Sequence, residues 1–64
     1  MNVTEKIIQF ESGELLPDEV IDLFSELIRT GLAWELQGMY GRTAKDLIHM
    51  GYLSDEGEVL EYPY

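Results

Sequence analysis

Cysteine is absent from this sequence, and histidine occurs once, as His49. The first absence excludes disulfides and thiolate-bound zinc, and the second excludes a multi-histidine metal site. Bases are scarce too: four lysines and arginines stand against thirteen acids, a net charge of −9. Such a chain repels phosphate backbones and anionic membrane surfaces. No apolar run approaches the ~20 residues of a membrane-spanning helix, and the N-terminus lacks a signal-peptide pattern. The expected location is cytoplasmic, with which the lack of cysteine is compatible. No cofactor is expected.

What is present is enough for one domain. A chain of 64 residues and 7.4 kDa exposes roughly 10,700 Å² unfolded and roughly 4,200 Å² folded. Burial of about 60% of the surface is the marginal end of the globular range. With no disulfide or metal to staple it, such a chain relies on tight helix packing or on self-association. A hydrophobic content of 45% separates it from disordered acidic tails.

The apolar spacing predicts an all-α domain, a bundle of three to four short helices. Val3, Ile7 and Phe10 recur at i, i+4 and i+7, with Thr4 as a candidate N-cap and Gly13 as a left-handed stop. The same β-branched content would also suit a strand over residues 3–12. The clearest helix covers residues 17–30. Pro17 suits the first helical position, Asp18 and Glu19 the positive end of the dipole, and Arg29 the negative end. Val20, Leu23, Phe24, Leu27 and Ile28 form one apolar stripe. Gly31 stops the helix, and Leu32 is placed to pack back onto Leu27. A helical turn over residues 32–37 is interrupted by Gly38. A further helix from Met39 to Met50 carries Tyr40, Ala44, Leu47 and Ile48 and ends at Gly51, with Tyr52 folding back onto Leu47. The ends Glu26–Gly31 and Asp46–Gly51 resemble each other as shared helix-stop chemistry. Beyond Gly51, Asp55-Glu56-Gly57 signals a turn between Tyr52-Leu53 and Val59-Leu60, giving either a small β-hairpin or a frayed acidic tail.

Three features are candidates for function. Asp18, Asp22 and Glu26 stack at i, i+4 and i+8 opposite the apolar stripe. Like charges at that spacing cost about 0.2–0.5 kcal/mol per pair. A solvated face would explain them, and so would a surface that meets cations on a partner. General acid–base work there would need a carboxylate in a dry pocket, which an exposed stripe does not offer. The segment Gln37–Thr43 holds Gly38 and Gly41, read as a helix corner where backbones approach closely. No strand precedes it and no Gly-Lys-Ser/Thr ends it, so it is not a phosphate-binding loop. Trp34, Tyr40 and Arg42 around it belong to the residue types enriched at interface hot spots, although Trp34 reads first as a core residue. His49 lies in a last helical turn, where a protonated imidazole meets the dipole. No spacing supports a nucleophilic triad. The element order is superficially that of a winged helix-turn-helix. Arg42, Lys45 and His49, offset by Asp46, make too poor an electrostatic footprint for direct nucleic-acid binding.

Two blocks carry a resemblance. Phe-Glu-Ser-Gly-Glu-Leu at Phe10–Leu15 and Thr-Gly-Leu-Ala-Trp-Glu-Leu-Gln-Gly-Met-Tyr-Gly-Arg-Thr-Ala at Thr30–Ala44 look like a family of short, uncharacterised proteins of tailed bacteriophages. The resemblance spans residues 7–51, and the acidic segment after Gly51 looks like an individual extension. The family brings no activity, so no catalytic residue carries over. The resemblance implies a context in which small acidic phage proteins bind and redirect a host protein. The expectation is therefore a non-catalytic binder of a host protein with a basic surface, acting through Asp18, Asp22 and Glu26 with Trp34, Tyr40 and Arg42 as anchors. The alternatives are a DNA mimic that blocks a nucleic-acid enzyme and a small homo-oligomer with an assembly role.

Overall fold

In the computed structural model, which describes residues 3–63, four helices run in order: α1 (Val3–Glu11), α2 (Pro17–Thr30), α3 (Leu32–Glu35) and α4 (Gly38–His49). The all-α bundle follows from the sequence pattern, and residues 3–11 are helix rather than strand. Thr4 lies inside α1, so it is not the cap. The N-cap position before Val3 falls outside the described residues.

Helix α2 organises the rest. Pro17 opens it, and the Glu19 carboxylate accepts the Leu16 backbone N–H at 2.9 Å, one arm of a capping box. Leu16 has no side-chain acceptor to supply the other arm. Ile21, Leu23, Phe24, Leu27 and Ile28 are buried, and so is Ser25. The buried surface is wider than the predicted stripe: Val20 sits at its edge, while Ile21 and Ser25 are inside. Helix α2 touches α1, α3 and α4, and the C-terminal segment covers Ser25.

Helix α4 starts at Gly38, one residue earlier than its apolar periodicity indicates, and buries Tyr40, Ala44 and Leu47 at i, i+4 and i+7. The glycine corner is half as expected. A Cβ on Gly41 would lie 3.6 Å from the Ala33 carbonyl oxygen and 3.8 Å from the Trp34 ring, whereas Gly38 faces open space. Only Gly41 lets α4 approach α3. At the far end, Gly51 adopts φ 88° and donates to the Ile48 carbonyl, and Tyr52 donates to the Leu47 carbonyl. That is a Schellman closure.

An aromatic trio joins three helices. Phe10 of α1 meets Phe24 of α2 edge-on at 5.4 Å, Phe10 lies 5.8 Å from Tyr40 of α4, and Phe24 lies 6.1 Å from Tyr40. These separations and the edge-on pair match what ring quadrupoles favour.

Residues 52–63 are folded against the helices, as neither a frayed tail nor a regular hairpin. Leu53 and Val59 form an isolated antiparallel bridge. Ser54 donates its N–H to the Glu58 carbonyl, and its hydroxyl accepts the N–H groups of Glu56 and Glu58. Leu60 returns its N–H to the Tyr52 carbonyl at 2.9 Å. Leu53 is 1% exposed and belongs to the core. Gly57 is buried against α2, with its carbonyl accepting the Ser25 hydroxyl at 2.5 Å, and Arg29 donates to Ser25 in turn. Tyr62 then donates its hydroxyl to the Asp22 carboxylate at 2.7 Å. From Gly57 to Tyr62 the chain runs back along α2, from Ser25 towards Asp22.

The accessible surface is 4223 Å², close to the roughly 4,200 Å² that a folded monomer of this mass exposes. The radius of gyration is 10.5 Å, against about 10.7 Å for a compact chain of this length. One copy thus reaches the burial expected of a folded domain.

Candidate interaction surface

Two ionisable side chains meet closely at Tyr40 and Glu11. The Tyr40 hydroxyl donates to the Glu11 carboxylate at 2.5 Å, joining α4 to the end of α1. Burial, the hydrogen bond to Glu11 and the Glu11 charge together push the Tyr40 phenol up to about 12. A phenol held protonated that far above neutrality is a poor proton donor or acceptor at physiological pH. The pair is a tertiary tie.

It also makes stability depend on alkaline pH. The folded pKa is raised above the unfolded value of 10.0. The stabilisation is therefore complete below pH 10 and is lost as pH rises through about 12. We expect the melting temperature to fall steeply between those limits. Tyr40→Phe should lower stability at pH 8 and flatten the fall. Ultraviolet titration of tyrosinate should show the Tyr40 phenol ionising near pH 12, a step absent from Tyr40→Phe. A Tyr40→Phe profile parallel to that of the wild type would contradict the assignment.

The carboxylates of the acidic face share one side of α2, but they are not equally free. Asp22 is exposed and accepts the Tyr62 hydroxyl, while Asp18 and Glu26 are partly covered. The returning segment carries the exposed Glu58 and Glu61, each adjacent in sequence to a residue that meets α2. The hydrogen bond of Tyr62 to Asp22 thus ties an acidic C-terminal segment to α2, which the sequence pattern of α2 alone did not reveal. Of the few cations, Lys6 pairs with Glu19 at 3.7 Å and Arg29 is engaged with Ser25.

The three residues around the glycine corner separate. Trp34 is 48% exposed, which overturns its reading as a core residue. Its ring rests over Gly41, leaving the rest to solvent. Arg42 on α4 is exposed. Tyr40 is 2% exposed and closes the aromatic core. It is therefore corrected from surface anchor to core residue, because its position on α4 points it at Phe10 and Phe24.

A second feature was missed from sequence. Ile48, Leu53, Ser54, Asp55, Glu56 and Leu60 line an open groove of about 430 Å³ between the end of α4 and the C-terminal turn. The sequence signals were the turn triplet Asp55-Glu56-Gly57 and the apolar residues flanking it. Only the folded-back chain brings Ile48 to them.

Among the described residues, no group of three His, Cys, Asp or Glu side chains is placed to hold a metal ion. No helix among them is long and apolar enough to cross a membrane. No curated protein and no solved structure matches the chain. A family model described as "Domain of unknown function (DUF7417)" matches residues 1–64. That match runs through the segment after Gly51, which is part of the domain and not an individual extension, in keeping with the buried Leu53 and Gly57. On a match that covers the whole chain, the protein belongs to the DUF7417 family.

Proposed function

We propose that this protein is a non-catalytic binding module that acts in the cytoplasm of a bacterial host on a protein with a basic surface. Its resemblance to short tailed-phage proteins supplies the setting. The observation that carries the reading is the Tyr62–Asp22 hydrogen bond, which ties an acidic C-terminal segment to the acidic helix α2. Asp18, Asp22 and Glu26 stand on α2, and Glu58 and Glu61 belong to the segment that Tyr62 anchors to Asp22. Keeping like charges together lowers stability. A cationic partner relieves that cost on binding, and charge complementarity speeds encounter and selects the partner.

Affinity capture from bacterial lysate at low and at high salt tests this reading. A host protein retained at low salt and shed at high salt is the expected result, because exposed charge pairs weaken as the screening length shortens. Asp18→Asn, Asp22→Asn and Glu26→Gln combined should weaken retention about tenfold or more, the scale on which rim charges act in steered complexes. Retention that is unchanged in this variant removes the acidic face from the reading. Competition with duplex DNA for the captured partner would favour a DNA mimic, whose carboxylates stand in for phosphates. A stable homo-oligomer with nothing captured would favour an assembly role.

A further inference from the structure

We infer that the groove beside the C-terminal turn is a docking site for a short protein segment that pairs bulky apolar side chains with lysine or arginine. The inference deepens the proposed function and rests on it, since it places the contact and names the chemistry of the partner.

The floor of the groove is apolar. Leu53 is 1% exposed and fixed in the core, Ile48 is half-buried, and Leu60 is 56% exposed beside them. An exposed leucine on a loose tail would carry little meaning. This one is held in place. The Leu60 N–H is bound to the Tyr52 carbonyl at 2.9 Å, and the preceding residue bridges to Leu53. The rim is fixed as well. The Ser54 hydroxyl accepts the N–H groups of Glu56 at 3.3 Å and Glu58 at 2.9 Å, which sets the loop bearing Asp55 and Glu56. A site whose backbone is already ordered spares the partner much of the ordering cost of binding. Its size, about 430 Å³, falls at the lower end of the roughly 300–1,000 Å³ of ligand pockets.

Charge selects the occupant. Both ionisable residues of the lining, Asp55 and Glu56, are acidic and exposed, and no base lines the groove. A second copy of this chain would bring another net charge of −9 to that rim. An anionic membrane or a nucleic acid would be repelled in the same way. A peptide segment with an apolar anchor and flanking cations satisfies the floor and the rim together. Its anchors would sit on Leu53 and Leu60, and its ammonium or guanidinium groups would face Asp55 and Glu56.

The test is a methyl and amide NMR titration of the full chain with three synthetic peptides. One alternates leucine and lysine, the second replaces lysine with glutamate, and the third replaces leucine with serine. The expected result is saturable shifts at Ile48, Leu53 and Leu60 for the leucine–lysine peptide, with binding at least about tenfold weaker for the other two, a typical loss for one interface anchor. Leu60→Glu should weaken binding by a similar factor. Because that side chain lies more than half in solvent, the variant keeps its fold, which its amide spectrum verifies. Equal groove binding by the glutamate peptide overturns the choice of occupant. Shifts confined to Asp18, Asp22 and Glu26 overturn the groove while leaving the acidic-face reading intact. Groove shifts on concentrating the protein alone assign the site to a second copy and overturn the inference. Silence with all three peptides at millimolar concentration overturns it as well, whatever the lysate capture yields.

Discussion

Gly57→Ala should lower the melting temperature by more than about 10 °C, on a scale where 1 kcal/mol moves a domain of this size by roughly 4–8 °C. Two costs add. Gly57 holds φ 87°, a conformation that costs a side-chain-bearing residue about 1–2 kcal/mol. The new methyl would also lie 2.7 Å from the Ser25 carbonyl oxygen, 2.9 Å from Arg29 Cγ and 3.1 Å from the Arg29 nitrogen. Arg29 Cγ can move aside, but the two backbone atoms belong to the interior of α2 and move only with the helix. Overpacking of this kind costs about 1–3 kcal/mol. The total rivals the roughly 3–10 kcal/mol that a chain of 64 residues holds in all. The cheaper escape is for the segment after Gly51 to lift, which exposes Leu53 and leaves Ser25 without the Gly57 carbonyl. Amide exchange should therefore accelerate first at Leu60, whose N–H is bound to Tyr52. Ser25→Ala is the graded companion. It strips a buried carbonyl of its donor at a cost of about 1–3 kcal/mol, with no clash. A Gly57→Ala melt within about 2 °C of the wild type would mean that the segment does not sit against α2 as described.

Phe24→Ala should be as damaging by a different route. Phe24 is fully buried and is packed against both Phe10 and Tyr40. Truncating a buried phenylalanine costs about 3–5 kcal/mol, from lost transfer free energy and the cavity left behind. Here the cavity would open where α1, α2 and α4 meet, and α1 has no fully buried residue of its own to hold it. We expect Phe24→Ala to be largely unfolded at 37 °C by circular dichroism. Phe24→Leu, which refills most of the space, should retain the fold with a loss nearer 1.5 kcal/mol. A urea midpoint for Phe24→Ala close to that of the wild type would show that the trio is not the centre of the core.

The sequence carries the helices well because their signals are local. Pro17, the acids after it and Gly31 bracket α2 at the boundaries that the structure shows, and Gly51 with Tyr52 closes α4 as the spacing indicates. Residues distant in sequence decide the rest. Ser25 falls outside the apolar stripe read on α2, and Gly57 reads as a turn glycine. Their burial comes from contact with each other across 32 positions. Tyr40 and Trp34 exchange roles for a related reason. Residue type marks both as interface material, yet α4 turns Tyr40 towards Phe24, while four-residue α3 buries Ala33 and leaves Trp34 outside. The acidic face was legible on α2, but the tie of the acidic C-terminal segment to it depends on Tyr62 reaching Asp22. The groove was not legible, since Ile48 joins Leu53 and Leu60 only after the chain has folded back.

The clasp of Ser25 on Gly57, with Tyr62 on Asp22, orders events in time. Most helix contacts join neighbours in sequence, α1 with α2, α2 with α3 and α3 with α4, while α2 also meets α4. Such local contacts form quickly and early. The surface of α2 around Ser25 is covered only once Gly57 is in place. A chain cut before Gly57 would therefore display an uncovered strip of its central helix.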